Sequence, residues 1–346
     1  MSELVLVANA GDSTVSTFRI DPDSAAPALE RIALSEVGEG CGTFAIDPER
    51  DLVYAAAKGE PPGIDVFALD RESGALEHLS RTDVADSMTY LALAHGGTLL
   101  VGASYGGGSA QVFPVDGDGH VEEPTAEVTW PNAHCVALAG DGGQVYVVSL
   151  GADVVAQYAL SPGGGLSPLA PPTATAPEGS GPRHLVLDAQ ETHAYVMTEF
   201  SGEVLAYARD ASGDLTQRSA TPAYAPDRGL RHSELGADPV AGHLIWGADL
   251  HLARGGAYVL ASERSESTLV SLPVREDGTV GEAVSLIPTV AQPRGFAVLA
   301  GGAYAVVAGE KDTDVALVAI GEDGTLTELG RVETGAGANW VRTLPL

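Results

Sequence analysis

Apolar and polar residues along this chain follow a repeat of about 45 residues. Each repeat holds a short apolar stretch, a second stretch rich in β-branched residues and a third in which apolar and polar residues alternate, as in Val154–Tyr158. Alternation with a period of two is typical of β-strands, and the 3.6-residue period of a helix is hardly seen. The pattern predicts about four strands per repeat.

Turn-forming segments that end in Leu or Val occur once in each repeat. Their Asp-Gly and Ser-Gly pairs supply the positive-φ positions that tight hairpins need. The terminal Leu or Val residues are 45 to 49 positions apart, except for one interval of 65 between Leu215 and Val280. The seven segments are Asp21–Leu29, Asp70–Leu76, Asp116–Val121, Ser161–Leu166, Arg209–Leu215, Arg275–Val280 and Gly321–Leu326.

Seven repeats of four antiparallel strands predict an all-β fold, the seven-bladed β-propeller. The chain begins in the middle of a repeat, so we expect its C-terminal strand, around Trp340–Leu344, to pair with the N-terminal blade and close the ring. Residues 1–346 would then form a single propeller domain. The long interval predicts an insertion near residues 222–242.

Composition limits the function. Forty-seven acidic and 18 basic residues give a net charge of −29, which argues against general binding to nucleic acids. No apolar run reaches the roughly 18 residues that span a bilayer, and no basic leader precedes Leu4, so we expect a cytoplasmic protein without a membrane partner. The charge also favours a monomer. Cys41 and Cys135 are too few for a disulfide framework or a cysteine zinc site.

Ionisable residues recur at two places in each repeat, just before the first strand and just after the second. Because these two strands are antiparallel, both places lie on one face, around one mouth of the central channel. The residues concerned are His134, Arg183 with His184, and Arg294 before first strands, and Lys58, Tyr105, Glu199, Arg264 and Lys311 after second strands.

Five of these residues are cations, gathered around one carboxylate and one imidazole in a strongly acidic chain. Guanidinium groups bind carboxylate and phosphate in a bidentate manner, so the gathering predicts a site for a small anion. Pairing of each cation with an acidic neighbour at a blade junction is the alternative.

At these residues the chain resembles the propeller-type lactonases, a family that includes cycloisomerase-like bacterial 6-phosphogluconolactonases and fungal carboxy-cis,cis-muconate lactonizing enzymes. The resemblance covers essentially the whole chain. It departs from the family's patterns at Thr89–Leu91, Ser104–Tyr105 and Ser149–Gly151. The motifs that carry it are Asn132–His134, Gly179–Leu185, Thr198–Glu199, Ala248–His251, Ser262–Arg264, Gln292–Phe296 and Gly106–Ser109 after Tyr105.

The resemblance implies that the catalytic positions of the family are occupied by His134, Arg183, Glu199 and Arg264, and it implies neither a metal nor a cofactor. We therefore expect a lactonase that hydrolyses a small anionic sugar lactone, most simply 6-phospho-D-glucono-1,5-lactone. Glu199 or His134 would act as the general base, and Arg183 and Arg264 would stabilise the oxyanion. The expected substrate-binding residues are Arg294, Lys311, Lys58, Tyr105 and His184.

Other functions are open at this point. The same residues could catalyse the cycloisomerisation of a carboxymuconate-like polycarboxylate. A non-catalytic propeller could instead use this mouth of the channel to bind a ligand or a protein. A serine hydrolase is disfavoured because the chain has no Gly-x-Ser-x-Gly. A calcium-dependent lactonase needs several converging oxygen ligands, whereas this mouth is mainly cationic.

Overall fold

Seven four-stranded antiparallel sheets make up the fold in a computed structural model, which describes residues 2–140 and 142–346. The predicted seven-bladed β-propeller is confirmed. In chain order the first fourteen strands are β1 (Glu3–Asn9), β2 (Thr14–Ile20), β3 (Glu30–Glu36), β4 (Thr43–Asp47), β5 (Leu52–Ala57), β6 (Gly63–Leu69), β7 (Leu76–Asp83), β8 (Tyr90–Ala94), β9 (Leu99–Ser104), β10 (Ser109–Pro114), β11 (Ala126–Thr129), β12 (Ala133–Ala139), β13 (Gln144–Ser149) and β14 (Val154–Leu160).

The second half of the chain repeats this order. Its strands are β15 (Leu166–Thr175), β16 (Pro182–Leu187), β17 (His193–Thr198), β18 (Glu203–Arg209), β19 (Leu215–Pro222), β20 (Gly247–Ala253), β21 (Tyr258–Glu263), β22 (Thr268–Pro273), β23 (Ser285–Pro288), β24 (Pro293–Val298), β25 (Tyr304–Gly309), β26 (Asp314–Ile320), β27 (Leu326–Glu333) and β28 (Ala338–Pro345). Single helical turns lie at His95–Gly97, Pro226–Arg228, Arg254–Gly256 and, as the α-helix α1, Pro239–Gly242. Among the described residues, no helix is both long and apolar enough to cross a bilayer.

The ring closes through the last strand. β28 pairs with β1 in antiparallel register, Val7 opposite Val341 and Leu4 opposite Leu344, so blade 1 is the sheet β28-β1-β2-β3. This closure was predicted and is confirmed. Beside it, the buried Asn9 amide oxygen accepts a hydrogen bond from the hydroxyl of Thr334, the residue after β27, at 2.9 Å, and this contact ties blade 1 to the end of blade 7.

Blades 2 to 7 follow as β4–β7, β8–β11, β12–β15, β16–β19, β20–β23 and β24–β27. Apolar clusters fill the space between neighbouring blades; one joins Leu6 and Trp340 of blade 1 to Phe44 and Val53 of blade 2. The three inner strands of each blade are largely buried, whereas outer strands such as β3 face solvent. The first strand of each blade lies next to the axis, where it forms the wall of the central channel.

One face of the ring collects the starts of the first strands and the ends of the second strands. The segment of residues 223–246 joins β19 to β20 on this face and contains α1. It packs back on blade 5, where the backbone N–H of Ser233 donates to the carbonyl of Phe200 at 3.0 Å.

Candidate active site

A cavity of about 280 Å³ opens at this face, on the propeller axis. Residues from all seven blades, and from the segments that connect them, contribute to its wall. The lining residues are Asn339, Gly42, Lys58, Ser87, Met88, Thr89, Tyr105, Gly106, His134, Arg183, Glu199, Trp246, Arg264 and Arg294. A larger cavity of about 660 Å³ lies on the opposite face, between turns such as Asp188–His193, and contains none of the predicted site residues.

β-Bulges in the first strands aim side chains into the cavity. In β12, Ala133 and Cys135 face consecutive residues of β13, so His134 is an extra, unpaired residue. The same one-residue shift isolates Arg183 in β16, Arg294 in β24 and Asn339 in β28. A bulged residue leaves the ladder and turns its side chain away from the sheet. The recurrent bulge therefore explains why these side chains meet at the axis.

The other functional position is the first residue after each second strand. Lys58, Tyr105, Glu199 and Arg264 follow β5, β9, β17 and β21 directly, and all four line the cavity. In blade 7 this position belongs to Glu310, which follows Gly309 at the end of β25. Lys311 comes one residue later, is exposed and is absent from the cavity wall. The structure thus places Lys311 outside the cavity wall, and the residue that directly follows β25, Glu310, pairs with the lining residue Arg294.

Glu199 joins two arginines. Its Oε2 accepts a hydrogen bond from Nε of Arg183 at 2.9 Å and lies 3.0 Å from Nη2 of Arg264. Arg183 is 1% exposed and also donates through Nη1 to the carbonyl of Ala248 at 2.6 Å. The Arg264 guanidinium stacks on the ring of Trp246, 3.8 Å from its centroid. Both guanidinium groups are therefore held rigidly, side by side, at the cavity.

The charges in this cluster shift one another's pKa. Burial raises the pKa of Glu199, but the positive charges of Arg264, Arg183 and Arg294 outweigh it and hold the pKa below its ordinary value. Burial, with repulsion from Arg183 and Arg294, lowers the pKa of Arg264 to about 9. Glu199 is consequently ionised and Arg264 protonated at neutral pH.

His134 lies at the edge of this cluster and is 5% exposed. Its ring centroid is 5.9 Å from that of Tyr105 and 5.1 Å from that of His184. Burial and the nearby Arg183 charge hold its pKa well below the ordinary value of 6.5, so the imidazole is neutral. Its Nδ1 is buried without a hydrogen-bond partner, and no ring nitrogen of His134 is bonded elsewhere in the described protein.

A second ion pair lies beside the first. Nη1 of Arg294 donates to Oε1 of Glu310 at 2.5 Å, and Oε2 of Glu310 lies 4.0 Å from Arg264. Sequence reasoning missed Glu310, although the rule of the first residue after the second strand would have found it. Lys58 is exposed at the cavity rim, where partial loss of hydration and repulsion from Arg294 lower its pKa.

These groups leave the cavity positively charged. Lys58, Arg183, Arg264 and Arg294 contribute four positive charges, and Glu199 and Glu310 contribute two negative charges, a net charge of about +2 with His134 neutral. Four of the five predicted cations thus lie at the cavity, without Lys311, and a second carboxylate, that of Glu310, pairs with one of them. Among the described residues, the one cluster with metal-ligand spacing, Asp116–Asp118–His120, is mostly exposed on a hairpin of the other face.

The wall between Lys58 and His134 is uncharged. It contains Ser87, Thr89 and Tyr105 of blade 3. Asn339, from blade 1, is 4% exposed, and its amide oxygen has no hydrogen-bond partner. Asn339 occupies the same bulge position as Arg183, which is the signal that could have found it. These groups can bind hydroxyls of a ligand.

His184 lies beneath the cavity and does not line it. Its Nδ1 is 2.6 Å from Oδ1 of the buried Asp249, and its Nε2 is 3.2 Å from Nη1 of Arg183. The rings of Tyr90 and Trp340 pack edge-on against it at 5.5 and 5.9 Å. The structure therefore places His184 outside the cavity wall, because the residue after the bulge points down the channel. Asp249 was seen in the sequence only as part of a motif.

Comparisons with known proteins agree with this architecture. The sequence profile of the family described as "Lactonase, 7-bladed beta-propeller" matches residues 5–343. The chain is 27% identical over 349 residues to a 6-phosphogluconolactonase of Serratia proteamaculans, with 99% of each chain covered. A 6-phosphogluconolactonase of Pectobacterium atrosepticum is also 27% identical, with both chains covered completely.

Solved structures share the fold over the full length. The periplasmic gluconolactonase of Pseudomonas aeruginosa superposes with a TM-score of 0.85 at 23% identity, covering 100% of this chain and 99% of the other. A protein from Lactobacillus plantarum gives a TM-score of 0.87 at 22% identity, covering both chains completely. At these identities the two structures bear on the fold alone.

Proposed function

The chain belongs to the lactonase family of seven-bladed β-propellers, and from that membership we propose that it hydrolyses 6-phospho-D-glucono-1,5-lactone to 6-phosphogluconate. Relatives aligned over 98–100% of their length carry the name 6-phosphogluconolactonase. The chain is therefore a lactonase, and the phosphorylated sugar lactone is the substrate that the cavity favours.

The net charge of the cavity is the observation that carries this proposal. A phosphate monoester bears a charge of about −1.5 to −2 at neutral pH. The cavity offers about +2 in a protein whose net charge is −29. Because the rest of the molecule repels anions, the axial cavity is where a phosphorylated lactone gains the most from electrostatic attraction.

Hydrolysis begins with attack of water on the lactone carbonyl, which turns the carbonyl oxygen into an oxyanion. Arg183 and Arg264 face the cavity with fixed guanidinium groups and would stabilise this developing charge. Their shared partner Glu199 holds them against mutual repulsion. Collapse of the intermediate then breaks the ring C–O bond, and a proton must reach the departing alkoxide.

His134 is the better candidate for the general base. Its neutral ring has no hydrogen-bonded partner, whereas Oε2 of Glu199 is already shared by two guanidinium groups. His134 would take the proton of the attacking water and return it to the alkoxide. Its low pKa makes it a weak base in the free protein, and a bound dianion would raise that pKa by offsetting the charges of Arg183 and Arg294.

Lys58 and Arg294 would bind the phosphate. Both line the cavity, on blades 2 and 7, and lie on either side of Asn339 of blade 1 in the ring. The uncharged wall with Thr89 and Tyr105 would face the sugar hydroxyls. A substrate held at one end by charge and along its length by hydroxyl contacts presents its carbonyl to the arginine pair.

The test is the rate of 6-phosphogluconate release from freshly generated lactone. We expect wild type to exceed the uncatalysed rate and Arg183→Ala to fall to it, with the folded state checked by circular dichroism. Arg218→Ala, at an exposed arginine of the outer strand β19, is the matched control. A folded wild type that only equals the uncatalysed rate would refute the proposal, and turnover of a carboxymuconate instead would favour a cycloisomerase.

We also propose that the protein acts as a monomer in the cytoplasm. Cys41 and Cys135 are free and buried, as suits a reducing compartment. The charge of −29 opposes association of copies and contact with nucleic acids or anionic lipids. Size-exclusion chromatography with light scattering, and fractionation of the source cells, test these two points.

A further inference from the structure

A buried hydrogen-bonded chain connects the cavity to the interior of the channel. It runs from Glu199 to Arg183, from Arg183 Nη1 to Nε2 of His184 at 3.2 Å, and from Nδ1 of His184 to Oδ1 of Asp249 at 2.6 Å. Arg183, His184 and Asp249 are 1%, 3% and 4% exposed. Neither His184 nor Asp249 lines the cavity, so neither touches a substrate there.

Asp249 is fixed by its own contacts. Its Oδ2 accepts the backbone N–H of Phe296 at 3.1 Å, and its Oδ1 accepts the backbone N–H of Leu250 at 2.9 Å. His251 also lies 3.3 Å from Oδ2. Burial raises the pKa of Asp249, but the neighbouring His251 and His184, together with the hydrogen bonds of their side chains, hold the pKa well below 3.8. A carboxylate in this state can only accept hydrogen bonds.

The negative charge of Asp249 determines the tautomer of the His184 ring. Facing a carboxylate at 2.6 Å, Nδ1 must carry the proton and donate it. Burial and the Arg183 charge lower the pKa of His184 to about 4, so the ring carries only this one proton at neutral pH. Nε2 then has a free lone pair and can accept from Nη1 of Arg183. The opposite tautomer would set an N–H against a guanidinium N–H.

We propose that Asp249 and His184 are positioning residues for Arg183, with Asp249 fixing the His184 tautomer that accepts from the guanidinium. The inference rests on the proposed function, in which Arg183 stabilises the oxyanion. Arg183 then has three fixed acceptors, namely Glu199, the Ala248 carbonyl and His184, while Nη2 has no partner within the described protein. Its guanidinium is thereby held in one plane, with Nη2 left for the reacting oxygen.

Tests use full-length Asp249→Asn, His184→Gln and the double variant. An asparagine no longer fixes the tautomer, and a glutamine can place its amide oxygen near the former Nε2. We expect Asp249→Asn to lower kcat about 10- to 100-fold, the range for a lost hydrogen bond to a charged group, with KM changed less than about threefold. In the His184→Gln background, Asp249→Asn should add little further loss.

The ring itself gives the second measurement. In ¹⁵N spectra assigned by the loss of signals in His184→Gln, wild-type His184 should show a protonated Nδ1 and an unprotonated Nε2 at pH 7. Asp249→Asn should shift the ring towards the Nε2–H form. Asp188→Asn is the matched control. It replaces the carboxylate whose Oδ2 lies 2.9 Å from Nδ1 of another histidine, His193, on the opposite face. It should leave both kcat and the His184 signals unchanged.

Two results would overturn the inference: a protonated Nε2 on His184 in wild type, or losses in the single variants that multiply in the double variant. If Asp249→Asn does not fold, His184→Gln and the wild-type spectrum still decide. A folded wild type without lactone turnover would refute the proposed function alone, because the ¹⁵N spectra would still show whether Asp249 fixes the tautomer of His184.

Discussion

Lys58 and Lys311 are the only lysines of the chain, and replacing each by methionine tests where the phosphate binds. Lys58 lines the cavity at its rim, whereas Lys311, two blades away in the ring, does not line it. Methionine keeps most of the length of the lysine side chain and removes its charge. We therefore expect Lys58→Met to raise KM for the phosphorylated lactone and Lys311→Met to leave it unchanged.

The size of the effect follows from the exposure of Lys58. Two unit charges 4 Å apart attract by about 4 kcal/mol at an effective dielectric constant of 20 and by about 1 kcal/mol in water. Because Lys58 is exposed at the rim, we take about 1 kcal/mol, which corresponds to about a fivefold rise in KM. The value of kcat should change little, since the phosphate is bound equally in the ground and transition states.

The assay compares 6-phosphogluconolactone with D-glucono-1,5-lactone, which lacks the phosphate. The loss in Lys58→Met should appear only with the phosphorylated lactone, and it should shrink as salt is raised, because salt screens exposed charges. Equal losses in Lys58→Met and Lys311→Met, or an equal loss with the unphosphorylated lactone, would refute the assignment of the phosphate to this rim.

Four further outcomes are expected. Glu199→Gln should lower kcat/KM at least about 100-fold in steady-state assays of a folded protein, because two guanidinium groups lose their common charged partner; near-normal turnover would contradict this role. Since the pKa of His134 lies well below 6.5, kcat/KM for D-glucono-1,5-lactone, which carries no phosphate that titrates in this range, should stay level from pH 8 to pH 6, and a fall with a midpoint near 6.5 would count against it. His184 has a pKa of about 4 in the folded state and about 6.5 unfolded, so the unfolded chain binds more protons between these values. The free energy of unfolding should therefore decrease as pH falls from 6.5 to 4, by on the order of 3 kcal/mol, and urea titrations of His184→Gln should show a flatter decrease. Asn9→Leu should cost about 2 kcal/mol of stability in urea unfolding, because the buried Thr334 hydroxyl loses its acceptor, and an unchanged midpoint would show that this contact does not support ring closure.

The fold could be predicted from local chemistry because every blade repeats the same hairpin. Asp-Gly or Ser-Gly pairs mark most of these turns, and seven of the hairpins at nearly constant spacing leave few architectures other than a propeller. The pairing of β28 with β1 followed from the incomplete repeat at each end. Such features depend on a few neighbouring residues, so a single sequence reveals them.

The site was harder to predict because it depends on single-residue shifts. The two recurring places, before each first strand and after each second strand, identified His134, Arg183, Arg294 and Glu199. These residues carry a charge or a ring that stands out in the sequence pattern. Asn339 occupies an equivalent bulge but carries no charge, and the sequence does not show where a bulge begins.

Two other residues show the same limit. The pattern placed Lys311 directly after the second strand of blade 7, whereas β25 ends at Gly309 and Glu310 follows it; a single sequence does not define the end of a strand to one residue. The position of His184 below the cavity depends on the bulge at Arg183, which reverses the inside–outside alternation of β16.

Two blades of the ring lack the bulge that brings a side chain to the axis. β4 and β8 pair with their neighbours without a register shift, so blades 2 and 3 send no bulged side chain to the axis, unlike blades 1, 4, 5 and 7. A one-residue insertion directly after Thr43 in β4 or after Tyr90 in β8 would place an extra residue within the paired strand and so create the missing bulge. The propeller could in this way be given an additional contact to its ligand, and a new substrate preference, by lengthening a strand at one point.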